Sequence, residues 1–125
     1  MKVYIVDGVR TAIGNLGGSL SAVSAVDLGV NVVRALIKRT KLQEACIDEI
    51  VMGNVLQAGN GQNTARQIAL HSNIPQEKTA LSVNMVCGSG LRAVCLAGQA
   101  IKAGDADVVV AGGTESMSNA PYLLT

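Results

Sequence analysis

Apolar positions along this chain alternate between two periods, and the alternation itself outlines a fold. Val3-Tyr4-Ile5-Val6 reads as a strand that ends at Asp7-Gly8. A glycine-rich loop follows, Gly14-Asn15-Leu16-Gly17-Gly18. Ser24 and Asp27 then stand at capping-box spacing and predict a helix start. Leu28, Val32, Ala35 and Leu36 fall at i, i+4, i+7 and i+8, one apolar stripe of an amphipathic helix. Arg34, Lys38, Arg39 and Lys41 lie mostly off that stripe and toward the carboxyl end, where positive charge complements the helix dipole. They read as a solvated face.

Ile50-Val51-Met52 predicts a second strand, continuing to Val55-Leu56. The loop Gly59-Asn60-Gly61 leads into a second helical pattern at Ala65, Ile68 and Ala69, which stops near Ser72-Asn73 with Pro75 beyond. Ala80 to Val86 is a third strand. Leu91, Val94, Cys95 and Gly98 recur at helical spacing, and Gly104 supplies the stop for a third helix. Val108-Val109-Val110-Ala111 is the unbroken apolar run of a strand buried on both faces. The order β-α-β-α-β-α-β predicts an α/β fold, a mostly parallel sheet flanked by helices and joined by right-handed crossovers.

Composition sharpens this picture in three respects. The chain has 125 residues, of which 49% are apolar and 15% charged, so it can bury a core and is not a disordered segment. Two Tyr are the only aromatics, so that core is built from aliphatic residues, as suits helices packed closely on a parallel sheet. The net charge of +1 comes with scattered basic residues, which argues against a nucleic-acid surface. The amino terminus is broken early by Asp7, Gly8 and Arg10, unlike a signal peptide, and no apolar run is long enough to span a bilayer. Three unevenly spaced cysteines do not make a disulfide framework and point to a reducing cytoplasm.

One of those cysteines sits where α/β sheets collect ligands, at the carboxyl end of a strand where a helix begins. In Asn84-Met85-Val86-Cys87-Gly88-Ser89-Gly90-Leu91-Arg92-Ala93, Cys87 falls at that junction. Free main-chain N–H groups and the positive end of the helix dipole favour a thiolate there, and such a site can bring a thiol from about 8.5 into the range of roughly 3.5 to 7.5. Gly88 and Gly90 remove side chains that would block a substrate carbonyl. The N–H of Cys87 itself can hold the developing oxyanion. By residue type alone, a cysteine in a small apolar protein is more often a buried hydrophobe.

Rival readings of the same residues are weaker. Cys87 and Leu91 occupy the outer positions of what would be a Gly-x-Ser-x-Gly elbow, so the segment is no serine-hydrolase motif. Gly59-Asn60-Gly61 has Thr64 where a dinucleotide fingerprint needs its third glycine. No His, Cys or Asp cluster has metal-ligand spacing. His71, the single histidine, reads as a helix-end surface residue. Cys95, amid Val94, Leu96 and Ala97, reads as buried core. Cys46 lies beside Asp48 and Glu49, whose charges disfavour a thiolate, and reads as structural.

Val83-Asn84-Met85-Val86-Cys87-Gly88-Ser89-Gly90-Leu91-Arg92-Ala93-Val94 resembles the nucleophile segment of the thiolases. Three further stretches are similar to the same family in the same order. They are Arg10-Thr11-Ala12-Ile13-Gly14 with Gly17-Gly18-Ser19-Leu20, then Gly61-Gln62-Asn63 with Ala65-Arg66-Gln67, and Ala111-Gly112-Gly113-Thr114-Glu115-Ser116-Met117-Ser118. The resemblance covers essentially the whole chain and looks strongest to the acetoacetyl-CoA-forming branch.

What the resemblance implies is acyl transfer in two stages, with Cys87 as catalytic nucleophile and coenzyme A thioesters as substrates. Cys87 is acylated, and the acyl group passes to the α-carbon of a second acetyl-CoA or, in reverse, to free coenzyme A. No tightly bound cofactor and no metal are implied, and no nucleic-acid or membrane partner. The family's activating His, acid/base Cys and water-positioning Asn have no matching segment here. Its main coenzyme A-binding loop would also lie beyond residue 125. Residues 1–125 are thus expected to be an incomplete N-terminal lobe, inactive alone, from a cytoplasmic homodimer or homotetramer. Glu115 and Ser116 are expected to serve structure near the subunit contact. A 3-ketoacyl-CoA thiolase of fatty-acid degradation, or a non-catalytic lobe that assembles with a separate C-terminal half, are the alternatives.

Overall fold

The computed structural model describes residues 2–125. Its sheet has three parallel strands, β1 (Glu49–Gly53), β2 (Thr79–Val83) and β3 (Val109–Gly113), in the order β2-β1-β3. Ile50 pairs with Ala80 on one side and Val110 on the other, so β1 is the central strand. Three helices accompany it: α1 (Ala25–Thr40), α2 (Thr64–His71) and α3 (Ser89–Ala103). The step from β1 to β2 and the step from β2 back across β1 to β3 run in opposite directions. Crossovers of one hand therefore put α2 and α3 on opposite faces.

Side chains alternate along β1 and divide the interior accordingly. Ile50 and Met52 join Val110 in a core with Val26, Val30 and Val33 of α1 and Ala65, Ile68 and Ala69 of α2. Val51 and Gly53 turn the other way, toward α3, whose buried residues are Ser89, Ala93 and Ala97. The small residues along α3 let the helix lie close to the sheet. A Cβ added at Gly113 would stand 3.3 Å from the Gly90 Cα.

The helix starts and stops follow local chemistry. The Ser24 hydroxyl caps α1, accepting from the Asp27 N–H at 3.0 Å and donating to the Asp27 carboxylate at 2.7 Å. Asn63 caps α2, and Gly104, with φ +85°, ends α3.

Two buried stripes differ from the sequence expectation. On α1 the buried residues are Ala25, Val26, Gly29, Val30 and Val33, while Leu28, Val32 and Leu36 are half-buried and Ala35 is exposed. This helix is apolar around more than one stripe, so periodicity alone does not choose between them. On α3, Leu91, Val94 and Cys95 face outward, and the small residues Ala93 and Ala97 face the sheet. The larger side chains would not fit so close an approach.

The strand expected at 3–6 is absent. Tyr4, Ile5 and Val6 are exposed and pair with no strand. Strand structure needs a neighbouring backbone to complete its hydrogen bonds, which an alternating pattern cannot supply. Just beyond the segment, Asp7 forms an ion pair with Arg39 of α1 at 3.0 Å. The strands expected to reach Leu56 and Val86 stop at Gly53 and Val83, leaving room for the turns that carry the chemistry.

At the opposite end of the sheet a single carboxylate gathers all three strands. Asp48, just ahead of β1, accepts from the N–H groups of Asp107 and Val108 at 2.9 and 3.0 Å, before β3, and from the Lys78 ammonium at 3.1 Å, before β2. The Asp107 and Val108 amides, then Lys78, hold its carboxyl below the usual aspartate range. A depressed native pKa contributes stability above the unfolded value of about 3.9 and loses it as pH falls through the native value. Asp48→Asn is therefore expected to lower the urea midpoint at pH 7, with the gap to the parent closing toward pH 3. An equal gap at both pH values would show that charge is not what Asp48 contributes.

Candidate active site

Cys87 lies in the turn between β2 and α3, at the carboxyl end of the sheet. The strand ends at Val83 and the helix begins at Ser89, with Gly88 as its cap residue. Within the turn the Gly88 N–H bonds the Met85 carbonyl at 3.1 Å and the Ser89 N–H bonds the Val86 carbonyl at 3.1 Å. Among the described residues, the amides of Cys87, Gly90 and Leu91 meet no main-chain acceptor. They are donors available at a helix start.

Val86 takes φ +51°, in the left-handed region. A β-branched residue there is an outlier that costs on the order of 1–3 kcal/mol and persists only where its surroundings enforce it. Here the Asn84 side chain accepts from the Val86 N–H at 3.0 Å. The Ser89 hydroxyl donates to the Val86 carbonyl at 2.6 Å and accepts from the Met85 N–H at 2.8 Å.

The Cys87 side chain is exposed and lines an open cleft of about 460 Å³. Gly53 and Gly113, the last residues of β1 and β3, form its floor with Ser89 and Gly90; Val55, Leu56 and Met117 add apolar walls, and Thr114 and Glu115 polar ones. The lining is mostly apolar with a few polar groups, as suits an acyl chain with one carbonyl. Gly53 has a further task. A Cβ there would stand 2.6 Å from the Ser89 carbonyl carbon and 2.7 Å from the Gly90 nitrogen, so only glycine lets α3 start where it does.

A polar brace backs the cleft. The Glu115 carboxylate accepts from the Asn54 side chain at 2.9 Å and from the Val55 and Leu56 N–H groups, each at 3.0 Å. Asn54 is fully buried, and its side-chain Oδ1 accepts from the Thr64 hydroxyl at 2.8 Å. The loop after β1, the start of α2 and the segment after β3 are thereby fixed together. Glu115 thus braces three segments of the chain while lining the cleft. Asn54 is marked by no motif; the available signal is a polar residue soon after the apolar run Ile50-Val51-Met52.

The other residues considered do not converge on Cys87. His71 is exposed at the end of α2, where its carbonyl accepts from the Arg34 guanidinium. Cys95 is exposed on the outer face of α3, not buried as expected, and Cys46 is exposed in a short turn before β1. Exposure therefore does not distinguish the three thiols; position at a helix start does. A Cβ at Gly90 would meet only the Gly113 main chain, at 4.0 Å, so its missing side chain bears on access and not on packing. A second cavity, about 470 Å³, lies between the amino-terminal segment, α1 and β3 and contains no cysteine. Among the described residues no group of three His, Cys, Asp or Glu could hold a metal ion, and no helix is long and apolar enough to cross a membrane.

Comparison with known proteins places these observations in a family. A family model described as the thiolase N-terminal domain matches residues 3–125. An acetyl-CoA acetyltransferase of Escherichia coli (strain K12) is 57% identical over 120 residues, covering 96% of this chain and 30% of that protein. One from Syntrophomonas wolfei is 52% identical over 123 residues, 98% of this chain and 31% of that protein. The crystal structure of the Acat5 thiolase from Ascaris suum in complex with coenzyme A matches with a TM-score of 0.95 at 46% identity. That match covers 98% of this chain and 32% of the other. The chain thus spans just under a third of the length of these relatives.

Proposed function

The chain belongs to the thiolase family, matching its N-terminal domain, and from that premise we propose that it carries the nucleophile of an acetyl-CoA C-acetyltransferase. The observation that supports this most is the exposed Cys87 thiol at the mouth of a cleft, on a turn held in a strained conformation. In the proposed reaction the Cys87 sulfur attacks the carbonyl carbon of acetyl-CoA. A carbon–sulfur bond forms, and negative charge gathers on the carbonyl oxygen, where unpaired amides of the turn and helix start are suited to receive it. Collapse of this intermediate breaks the bond to coenzyme A, which leaves as its thiolate. The acetyl group on Cys87 then passes to the α-carbon of a second acetyl-CoA to give acetoacetyl-CoA, or in the reverse direction to coenzyme A.

The second stage needs a base to remove a proton from the second acetyl-CoA. His71 is not in the cleft, and the chain by itself is not expected to turn over. On this reading the substrates are coenzyme A thioesters and no tightly bound cofactor takes part. The protein works in the cytoplasm as a homodimer or homotetramer, an assembly that sedimentation would read directly.

The first stage is open to test on this chain, because exchange between a thiol and a thioester has nearly no driving force either way and needs only a reactive thiol. The chain is incubated with excess acetyl-CoA, quenched in acid, digested and mapped by mass spectrometry. Acetylation is expected on Cys87 well ahead of Cys46 and Cys95 and is expected to vanish from that peptide in Cys87→Ala. Equal acetylation of all three exposed cysteines would refute the assignment.

A further inference from the structure

A serine at a helix start ordinarily turns its hydroxyl forward to cap an amide of the first turn. Ser89 does the reverse. Its hydroxyl reaches back to the preceding turn, accepting from the Met85 N–H and donating to the Val86 carbonyl. The helix cap is left to Gly88, which has no side chain to give. Ser89 is 4% exposed and pressed against Gly53, so the hydroxyl is held in this arrangement by packing. Both of its bonds fall on either side of the peptide that joins Met85 to Val86, and Val86 is the one residue of the turn with a positive φ. Cys87 follows directly. Its thiol is exposed and in no disulfide, and the main chain of the turn sets the direction of its Cα–Cβ bond.

We propose that Ser89 is a positioning residue for Cys87: its hydroxyl holds Val86 in the left-handed conformation and so aims the thiol into the cleft. The proposal rests on the reading of Cys87 as nucleophile and adds a residue that acts through the main chain without touching substrate. It also separates the two bonding groups of the turn by burial. Asn84, on the exposed side, accepts from the Val86 N–H, whereas Ser89 supplies the half-buried pair of bonds.

The test is a double-mutant cycle on the chain, with Ser89→Ala, Val86→Gly and both together. The readout is the rate at which iodoacetamide modifies Cys87, relative to Cys46 and Cys95 in the same molecule, with folding followed by circular dichroism. Ser89→Ala is expected to slow Cys87 about tenfold and leave the reference thiols unchanged. Val86→Gly alone is expected to change the ratio less than about twofold, because glycine takes positive φ without cost. The double variant is expected to return to within about threefold of the parent, since a turn without strain needs no clamp.

An unchanged ratio in Ser89→Ala overturns the proposal, and so does a double variant no better than Ser89→Ala. If Ser89→Ala does not fold, a folded double variant with parent-like Cys87 supports the proposal, and an unfolded one overturns it. A parent chain whose Cys87 reacts no faster than Cys46 removes the nucleophile reading and this proposal together. A fast parent Cys87 that ignores Ser89→Ala removes only the proposal.

Discussion

Gly53→Ala is expected to lower the unfolding free energy by about 3 kcal/mol and to abolish the reactive advantage of Cys87 over the other two thiols. The substitution looks mild, since alanine adds one methyl group and gains a little by restricting the unfolded chain. What decides the outcome is the identity of the atoms in the way. The new Cβ would lie 2.6, 2.7 and 2.8 Å from the Ser89 carbonyl carbon, the Gly90 nitrogen and the Ser89 Cβ. Two of these three are main chain, so no rotamer change relieves the contact. Either β1 or the first turn of α3 has to move by about 1 Å, against a sheet and helix packed at interior density. The turn that carries Cys87 is attached to that first helical turn by the Ser89 hydroxyl and travels with it. Displacements of this size are enough to cost about 100-fold where a reacting atom must be aligned. Urea unfolding and thiol mapping on the same sample separate the two effects. A variant as stable as the parent, with Cys87 still preferred, would mean that the helix start is far more yielding than its contacts imply.

Gly53 also illustrates how much of the fold is legible in the sequence and where legibility ends. The three helices, the three paired strands and the parallel architecture follow from period and caps, because those signals are local: Ser24 capping α1, the spacing of Ala65, Ile68 and Ala69 in α2, Gly104 ending α3. Tyr4, Ile5 and Val6 carry an equally good local signal but form no strand, since pairing depends on which backbone lies alongside. The inner stripe of α3 departs from its periodicity for a related reason. Leu91, Val94 and Cys95 are the more apolar choice, yet Ala93 and Ala97 are buried because Gly53 and Gly113 bring the helix too near the sheet for anything larger. Cys87 stands out as a strand-to-helix residue from sequence pattern alone. The features that hold it do not. The backward reach of Ser89, the left-handed Val86 and the Asn54–Glu115 brace depend on contacts that local spacing does not encode.

The other large effect lies on the opposite face of the sheet, where α1 crosses α2. Ile68 is fully buried, and its side chain fills a notch left by Gly29 of α1. Ile68→Ala is expected to cost about 4 kcal/mol, the loss of a buried aliphatic side chain together with the cavity it leaves. For a domain whose whole stability is on the order of 5–15 kcal/mol, the variant should be largely unfolded by mild heating. Gly29→Ala approaches the same contact from the other side. Its Cβ would stand 2.3 Å from the Ile68 Cδ1 and 2.8 Å from the Cγ1, an overlap costing about 2 kcal/mol, offset in part by the better helix propensity of alanine. The two changes are complementary in volume. Joined in one chain, the methyl at position 29 occupies space that Ile68 has vacated, and the double variant should be more stable than the sum of the single effects by about 1–2 kcal/mol. Urea denaturation of the parent, both single variants and the double variant measures that difference directly. Strict additivity would mean that the notch relaxes independently of the side chain in it, and that α1 and α2 are not held at this spacing by the Gly29–Ile68 contact.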